Sequence, residues 1–488
     1  MNTSVQSRQT YTGNDRLLFG IIMGVIAFWL FAQTTLNIAP DMRRDLGMDA
    51  SMMNAAVAIT SLFSGIFIVV MGGLADRVGR LKITRVGFYL SIIGSLLVAN
   101  TPHGQLAAPV LLTGRALQGL SAACIMPASL ALVKAFWEGP ARQRAISMWS
   151  IGSWGGSGLC ALYGGMMSEH FGWRSIFWLA SAVSLLGLWM IRGTPESKAE
   201  AAGEYKFDLG GVLTFMITMV ALQVLVTQGN NLGWSSPTAL GLLAITAVFG
   251  WLFMHLESKA SNAFFDFSLF KNSTYTGATI SNFLVNATAG TLIVSLQLVQ
   301  LGGGMSAQQA GFLTLGYAIA IIAFIRVGEK LLQRFGPRKP MIWGCLITGL
   351  AILMLSRANL LLSEYKILAS VAYTLFGVGL AFYATPSTDA ALSNLPAAQA
   401  GSGAGIYKMA SSLGAAFGVA ISAAIFTALS ADSSSVTWLE GVITFSGRQD
   451  NLAVRGAAIV ALGFNVMMIV IAILTIMLTV RKGGKAKA

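Results

Sequence analysis

Three ionisable side chains lie within long apolar segments of this chain of 488 residues, at Arg115, Asp389 and Lys408. The interior of a lipid bilayer penalises an unpaired ionisable group by at least ~2.5–3.5 kcal/mol, so a group that persists there is a candidate for function. Carboxylates, and lysines whose pKa is shifted by burial, can bind and release protons. Together with Asp41, which ends an apolar segment, these residues are our candidates for coupling proton movement to another process.

Each candidate also has an interpretation without such chemistry. Asp389 lies near the predicted cytoplasmic end of its segment, where it would cap a helix or pair for structure alone. Arg115 shares a helical face with Gln118 and would serve as a hydrogen-bond anchor. Lys408 would attract an anionic substrate group, or would pair with Asp389 across the short turn 392–399. The sequence leaves these alternatives open.

A charged, glycine-rich segment at 72–82, the first hinge motif, connects two apolar segments. Its glycines allow a sharp turn and close helix contact at the membrane surface, and its basic residues favour the cytoplasmic side. The residues predicted to control gating here are Gly72, Asp76, Arg77, Gly79 and Arg80. A degenerate copy at 333–339, the second hinge motif, places Gln333 opposite Asp76, Arg334 opposite Arg77 and Gly336 opposite Gly79. The repetition predicts a duplicated architecture.

The composition excludes an ordinary soluble domain. Only 10% of the residues are charged, against roughly 25% in soluble proteins, and the mean hydropathy is +0.69. The net charge of +13 comes from basic residues dispersed among short loops, which indicates orientation in a membrane and not nucleic-acid binding. The three cysteines and three histidines form no metal-binding pattern, and no nucleophile–base pair or phosphate loop is evident. We therefore expect no metal, no cofactor, no nucleic-acid partner and no enzymatic activity.

Fourteen apolar segments are long enough to cross the ~30 Å hydrocarbon core of a bilayer. They lie at 17–40, 52–73, 84–101, 107–133, 145–167, 173–191, 209–228, 237–256, 274–300, 308–327, 341–357, 365–391, 400–429 and 455–480. The larger share of the Lys and Arg residues falls on one side of this topology. That asymmetry predicts that both termini face the cytoplasm.

The repeated hinge and the even number of spans predict two six-helix bundles with two further helices inserted between them. The predicted order is a cytoplasmic N-terminus 1–16, a first bundle 17–191, a linker 192–208, the inserted pair 209–256, a linker 257–273, a second bundle 274–480 and a cytoplasmic tail 481–488. The longest outer segment, 431–455, is predicted to be a short lid or a simple loop. The fold class is thus all-α and integral to the membrane.

The first hinge motif resembles the loop between helices 2 and 3 of major facilitator superfamily transporters. Further segments are similar to the quinolone-resistance efflux pumps of the fourteen-span drug:proton antiporter family, and they lie at 28–33, 121–127, 149–156, 275–283 and 326–331. The resemblance covers nearly the whole chain. It implies a major facilitator fold and a monomer that exports amphiphilic drugs, including fluoroquinolones, across a bacterial inner membrane by alternating access, with the proton gradient as energy source. It also associates the Arg-x-x-Gln-Gly pattern at Arg115 with proton coupling.

Two positions depart from the pattern of that family. Gln33 stands where many pumps for cationic drugs carry an aspartate in the first span. Cys160 and Ala161 stand where the glycine-rich motif of proton antiporters usually has a Gly-Pro pair. Because a neutral amide cannot neutralise a dication, Gln33 together with Lys408 favours zwitterionic or anionic amphiphiles as substrates.

Aromatic and amide side chains within the spans are the candidates for lining a drug-accepting cavity. These candidates are Gln33, Phe31, Trp29, Trp154, Asn282, Asn286, Tyr317, Tyr383 and Tyr407. Aromatic residues in spans also serve as packing or interfacial anchors, which is the alternative interpretation.

Two other functions compete with drug export. The chain could export an endogenous anionic or zwitterionic metabolite, with drug efflux incidental. It could also be a membrane sensor or scaffold that does not transport. The glycine-rich hinges and the ionisable groups within spans argue against a pure scaffold, which has no need for costly intramembrane ions.

Overall fold

The computed structural model describes residues 12–137, 141, 145, 148–149, 151–198, 208–260, 265, 267–392, 400–431, 433–439, 441–447 and 451–481. In this part of the chain there are fourteen long helices and no β-strand. The helices are α1 Asp15–Leu46, α2 Ala50–Val78, α3 Arg80–Ala99, α4 Ala107–Phe136, α5 Gly156–Phe171, α6 Trp173–Met190, α7 Leu209–Leu232, α8 Pro237–Lys259, α9 Ser273–Gly302, α10 Ala307–Phe335, α11 Arg338–Leu355, α12 Leu362–Leu392, α13 Ala400–Ser430 and α14 Leu452–Thr479.

Thirteen helices of the described chain are long and apolar enough to cross a membrane. The remaining one, α5, is preceded by a π-helical turn at Ile151–Gly155, and in the first part of the predicted span 145–167 residues 146, 147 and 150 lie outside the described ranges. The helices carry many exposed large apolar side chains, which is the surface that lipid would cover. The all-α membrane fold predicted from the sequence is confirmed.

The first helix is irregular at its centre, which the sequence analysis did not predict. A π-helical turn at Ala27–Phe31 is followed by a 3₁₀ turn at Ala32–Thr34 before the α-helix resumes. The hydroxyl of Thr34 donates to the carbonyl of Phe31 (2.7 Å), which stabilises the changed winding. Such turns alter where backbone carbonyls point, and this one lies beside the buried arginine described below.

The two halves of the molecule, α1–α6 and α9–α14, repeat the same helix contacts. Where α3 crosses α4, a Cβ atom on Gly94 would lie 2.8 Å from the carbonyl oxygen of Gly114. Where α11 crosses α12, a Cβ atom on Gly344 would lie 2.6 Å from the carbonyl oxygen of Gly379. Only glycine allows such approach of two backbones, so equivalent helices in each half are packed by the same device.

The halves meet along two helix pairs, α2 with α13 and α5 with α10. On the first pair Leu413 packs against Gly65, and on the second Ala318 packs against Gly158. The small residues at both contacts keep the helices close without interlocking bulky side chains. This surface is the seam between the halves.

The inserted helix α7 covers one side of that seam. It packs against both α2 and α13, with Val212 and Phe215 in one apolar cluster with Ile66 and Leu413. Helix α8 packs on α7 and leaves most of its surface exposed, including Trp251. The pair therefore touches both halves through a single helix.

The segment predicted as a lid or loop, 431–455, contains a 3₁₀ turn at Ser433–Leu439. Val436 of this turn packs on Gly456 of α14, and the backbone N–H of Ser446 donates to the carbonyl of Asn359 (2.8 Å). The described part of the segment therefore lies against the second half, on the connection between α11 and α12.

Candidate functional site

Arg115 is completely buried in α4, and its guanidinium binds neutral groups on α1 and α2. Its Nε donates to the carbonyl of Ala56 (2.9 Å) and one Nη to the carbonyl of Ala32 (2.6 Å). The other Nη donates to the hydroxyl of Thr35 (2.8 Å), and Gln118 accepts a further bond (2.7 Å). Among the residues that the structure describes, no carboxylate forms an ion pair with this side chain.

These bonds explain why a charge is tolerated at this depth. Ala32 begins the 3₁₀ turn of α1 and Thr35 directly follows it, so the irregular winding presents a carbonyl and a hydroxyl to Arg115. A buried charge is retained only where hydrogen bonds replace its water. The geometry has the features of the anchor that joins α1, α2 and α4, while a role in proton coupling stays a prediction.

Lys408 is placed differently, because its side chain is exposed although it lies within α13. On this helix Gly405 contacts Val69 of α2, and Tyr407 contacts α9 through its carbonyl. Gly405 and the half-buried Ser411 lie three residues before and after Lys408, so the three residues share the helical face that is turned toward α2. Lys408 therefore lines the space between the halves.

In the described part of the chain, Lys408 forms no ion pair, so the pairing with Asp389, one of the alternatives that the sequence left open, is not present. Asp389 itself lies three residues before the end of α12 with an exposed side chain that has its own interactions. This position corresponds to the helix-end alternative of the sequence analysis. The structure thus separates two residues that the sequence analysis considered as partners.

Asp41 lies near the end of α1, where its carboxylate pairs with Arg44 and accepts a hydrogen bond from Ser168 of α5 (2.8 Å). Asp41 therefore belongs to the end of the molecule where α1 meets α2.

Within the described ranges, no group of three or more His, Cys, Asp or Glu side chains could hold a metal ion.

Hydroxyl groups from three helices of the second half form a buried network. Tyr407 of α13 donates to Ser387 of α12 (2.8 Å), and Ser387 donates to the hydroxyl of Tyr383 (3.0 Å). Tyr383 in turn contacts the hydroxyl of Ser281 on α9 (2.7 Å). The structure therefore brings together two of the predicted cavity residues, Tyr383 and Tyr407, and Tyr407 immediately precedes Lys408 in α13.

Two predicted asparagines extend this network along α9. Asn282 donates to the carbonyl of Tyr407 (2.9 Å), and Asn286 donates to the side chain of Asn282 (2.9 Å). Asn286 is only half-buried, whereas Asn282 is buried. The amides therefore connect a partly accessible position to the backbone beside Lys408.

The predicted aromatic residues of the first half surround the irregular turn of α1. The rings of Phe31 and Tyr163 meet edge to face with centroids 5.2 Å apart. The indole nitrogen of Trp29 and the hydroxyl of Tyr163 have no hydrogen-bond partner within the described residues. Gln33 faces α2, where its amide approaches the hydroxyl of Ser61 (3.5 Å). These groups retain hydrogen-bonding capacity that the protein itself does not use.

Tyr317 of α10 lies where the halves meet, because the next residue, Ala318, packs against Gly158 of α5, while the Tyr317 ring packs edge-on against Phe376 (5.7 Å between centroids). The side chain of Trp154, another predicted cavity residue, lies outside the described part of the structure.

The first hinge motif is held by the linker that follows α6. Gly79 has a φ of +133° and allows the turn between α2 and α3. The carboxylate of Glu196 accepts hydrogen bonds from the backbone N–H groups of Leu81 (2.8 Å) and Lys82 (3.0 Å), and so caps α3. The N–H of Arg80 donates to the carbonyl of Ser197 (2.9 Å). The linker thereby fixes the hinge to the end of the first half.

The remaining residues of the two hinge motifs lie in turns or against neighbouring side chains. Gly72 lies inside α2, where an added Cβ atom would be in tight contact with Pro127 (3.3 Å). The side chains of Asp76 and Arg77 are outside the described part. In the second motif Gly336 ends α10 with a φ of +71°, and the Arg334 guanidinium lies 5.2 Å from the centre of its neighbouring aromatic ring. Both motifs are turns that glycine permits.

The sequence analysis missed the polar groups that join the halves at the α1–α2 end. Asn37 of α1 donates to the carbonyls of Ala161 (2.6 Å) and Ala307 (2.8 Å), and it accepts from Gln300 of α9 (2.9 Å). These bonds connect α1 and α5 of the first half with α9 and α10 of the second.

A second link forms on the other helix pair, where Asn54 of α2 donates to the hydroxyl of Thr427 on α13 (2.8 Å). The halves are thus closed by polar contacts at this end. The signal that could have found Asn37 and Asn54 is an amide within an apolar span, which costs free energy unless it is bonded.

Comparison with known proteins agrees with this architecture. Residues 17–276 and 275–486 each match the family model described as Major Facilitator Superfamily. The chain is 48% identical over 426 residues to the quinolone resistance protein NorB of Staphylococcus aureus strain MRSA252, covering 87% of this chain and 91% of that protein. It is 49% identical over 428 residues to the NorB of strain MSSA476, with the same coverage.

Solved transporters share the fold at low sequence identity. The POT family transporter PepTSo superimposes with a TM-score of 0.65 at 13% identity, covering 95% of this chain and 98% of that one. The nucleoside transporter NupG superimposes with a TM-score of 0.64 at 13% identity, covering 94% and 100%. The two matching halves, the helix contacts that they repeat and these likenesses together show that the chain belongs to the major facilitator superfamily of membrane transporters.

Proposed function

We propose that this chain exports amphiphilic drugs such as fluoroquinolones from the bacterial cytoplasm. The observation that carries the proposal is the similarity to NorB, a quinolone resistance protein, over 87% of the chain. That similarity is supported by a site with the required chemistry, namely an accessible cation beside a network of hydroxyl groups and half-buried aromatic rings. Such groups can bind the carboxylate and the ring system of a zwitterionic amphiphile.

The proposed transport cycle is alternating access between the two halves. In the structure the halves are closed at the α1–α2 end, through Asn37 and Asn54. Release of a drug at that end requires these bonds to break and the seam to open. We place both termini on the cytoplasmic side, so that the closed end faces outward.

The proposed energy source is inward proton movement. One elementary charge that crosses 100 mV releases about 2.3 kcal/mol, which sustains a drug gradient of about fortyfold before any pH gradient is added. The coupling candidates are Asp389, Arg115, Lys408 and Asp41. The exposure of Lys408 and Asp389 supports these two over Arg115, whose donors are occupied.

The test is fluoroquinolone transport by the purified full-length chain in proteoliposomes with an imposed pH gradient. We expect drug movement against its gradient that stops when a protonophore is added. Asp389→Asn is expected to reduce the coupling, and Glu329→Gln, another exposed carboxylate near a helix end, is the matched control. Drug movement that is equal with and without the gradient would contradict proton coupling, and no drug movement would contradict drug export.

A second candidate function is export of an endogenous anionic metabolite. The specific observation in its favour is the accessible, unpaired cation of Lys408 within the described part of α13. Fractions of a bacterial lysate would be added to the same proteoliposomes. An anionic fraction that competes more strongly than any fluoroquinolone would favour this candidate.

A further inference from the structure

A pocket of about 380 Å³ lies at the closed end of the molecule, and its walls come from both halves. The first half contributes the end of α1, the turn after it and the start of α2, while the second half contributes α9. Arg43, one of the lining residues, lies six residues after Asn37 on α1. The pocket is therefore on the outer side of the bonds that close the molecule, and it is separate from the interior site around Lys408.

The lining carries a positive charge that the pocket itself does not neutralise. The guanidinium of Arg43 has no ion pair or hydrogen bond with any residue that the structure describes. Its neighbour Arg44 also lines the pocket but pairs with Asp41. No acidic side chain is among the lining residues in the described part of the chain. An anionic group is therefore the favoured partner of Arg43.

A buried amide faces the same pocket from the other half. Gln297 of α9 is 8% exposed, and its side chain forms no hydrogen bond with a described residue. Gln300, nearly one turn later, instead donates to the side chain of Asn37 (2.9 Å). A π-helical turn begins directly after Gln297, and such turns are frequent at functional sites. A buried amide without a partner is unfavourable unless an occupant supplies one.

The rest of the wall is largely apolar and includes Pro40, Met48, Met53 and Leu301. A small inorganic anion would satisfy the polar groups but would leave these side chains uncovered. The volume lies within the range of pockets that hold drug-sized ligands. The occupant therefore needs both an anionic group and an apolar body.

We propose that this pocket binds an amphiphilic carboxylate, with the carboxylate between Arg43 and Gln297 and the apolar body against the methionines. Because Arg43 belongs to the first half and Gln297 to the second, the complete site exists only while this end is closed. Opening of the seam separates the two polar groups and releases the ligand.

The inference deepens the proposed function and rests on it in one respect, namely that the bound carboxylate is the exported drug on the side of its release. Binding itself requires neither transport nor a proton gradient. The pocket can therefore be tested on the protein at rest.

The experiment uses 4-benzoylbenzoate, an anionic diaryl ketone, as a photoreactive probe of the full-length chain in liposomes of phosphatidylcholine at pH 7. Irradiation joins the ketone carbon to the carbon of a nearby C–H bond, the hydrogen moves to the ketone oxygen, and mass spectrometry locates the adduct. The matched probe is 4-benzoylbenzamide, which has a similar shape and no charge. Labelling of Met48 and Met53 is divided by that of Met166, which is exposed on α5 and reports simple contact. We expect this ratio to be about tenfold higher for the carboxylate.

Variants on both sides of the pocket test the polar contacts. Arg43→Gln is expected to lower the ratio for the carboxylate about tenfold, and Arg43→Lys should recover part of it. The control is Arg357→Gln, because Arg357 is exposed on the connection between α11 and α12. Gln297→Leu removes the amide and is expected to lower the ratio about fivefold, whereas Gln308→Leu, at a half-buried position of α10, leaves it unchanged.

Equal ratios for the two probes, or a ratio that survives Arg43→Gln, overturn the proposal. Displacement of the carboxylate by an equal concentration of inorganic phosphate also overturns it and assigns the pocket to a free anion. Displacement by phosphatidylglycerol added to the liposomes, without an effect of phosphate, overturns it and assigns the pocket to a lipid headgroup.

The inference and the proposed function fail separately. Carboxylate-dependent labelling in a protein that transports no fluoroquinolone supports the pocket and contradicts the proposed function alone. Fluoroquinolone transport by a protein without such labelling contradicts the pocket alone. Because Arg43 is exposed and makes no bond within the described structure, its variants are expected to fold as the wild type does.

Discussion

The two halves hold their interior cations in opposite ways. In the first half, Arg115 is fully buried and its donors are occupied by carbonyl, hydroxyl and amide oxygens. In the second half, Lys408 is exposed to the interior and forms no ion pair within the described residues. A cation with fixed bonds stabilises one arrangement of helices, whereas a cation with free donors can exchange partners.

This difference assigns separate roles to two residues that the sequence presents alike. Arg115 is expected to serve the stability of the first half, and Lys408 is expected to serve the recognition of substrate. The duplicated fold thus has one half whose interior cation is fully hydrogen-bonded and another whose interior cation is exposed. The following predictions test that contrast.

Replacement of Arg115 by Leu is expected to have the largest effect. It removes the guanidinium bonds that join α4 to the carbonyls of Ala32 and Ala56 in an apolar interior, at a cost of at least ~3 kcal/mol. The thermal midpoint of the purified protein in detergent, with its yield, measures this loss. Arg115→Lys restores the charge but not the planar set of donors, so it should recover only part of the stability. An Arg115→Leu variant with the stability of the wild type would contradict the stabilising role of Arg115.

Replacement of Lys408 by Gln is expected to reduce fluoroquinolone transport about tenfold while it changes the free energy of unfolding by less than ~1 kcal/mol. The reason is that its amine makes no bond on which the fold depends. Proteoliposome transport and thermal unfolding are measured on the same preparation, with Lys408→Arg to test whether charge alone suffices. Destabilisation as large as that of Arg115→Leu would show that both cations are anchors.

Replacement of Asn37 by Ala should open the α1–α2 end. It removes the side-chain bonds to the carbonyls of Ala161 and Ala307 at a cost of ~1–3 kcal/mol, and each 1.4 kcal/mol changes the ratio of closed to open molecules tenfold. Spin labels at His103 and Leu361, one in each half, report the distance. Ser91→Ala breaks a bond within the first half and is the control. An unchanged distance distribution would mean that these bonds do not close the molecule.

Removal of the Tyr407 hydroxyl should have a smaller effect. Tyr407→Phe breaks the bond to Ser387 and is expected to destabilise the protein by ~0.5–1.5 kcal/mol. The thermal midpoint is compared with that of Tyr89→Phe, because Tyr89 is exposed on α3. If Tyr407→Phe instead impairs transport without lowering the midpoint, the hydroxyl network takes part in substrate binding and the contrast between the halves becomes sharper.

The smallest effect is expected at Asp49, in the turn between α1 and α2. Burial alone would raise the pKa of this carboxyl, but hydrogen bonds from Met52, Ser51 and Asn231 outweigh burial and lower the pKa below its ordinary value of 3.8. A lowered pKa stabilises the folded state above pH 3.8, and this stabilisation is lost as the pH falls below that value.

Asp49→Asn should therefore cost no more than ~1 kcal/mol at pH 7, because the group is exposed and screened by water. Thermal unfolding of the variant and the wild type from pH 3 to pH 7 measures this difference in stability. The variant should lose less stability on acidification than the wild type, and equal losses would contradict the role of Asp49.

The sequence was sufficient to predict which side chains are unusual, but not what they bind. Charges at Arg115 and Lys408 are conspicuous because the neighbouring residues are apolar, and the periodicity of those residues predicts the helices. The partners of Arg115 depend on the irregular winding of α1, and no local sequence pattern predicts that winding. The bonds of Asn37 depend on how α1 registers against a helix of the other half, which begins more than two hundred residues later. Such registers follow from the packing of the whole molecule.

The position of α7 has a consequence for a chain from which the two inserted helices are removed. Because α7 covers the seam, its removal would leave apolar residues of α2 and α13, such as Ile66 and Leu413, in contact with lipid. A bilayer tolerates that exposure, so a shortened chain of twelve helices could still insert. It would lose the packing of α7 against both α2 and α13, which is the contact that the inserted pair makes with the two halves together.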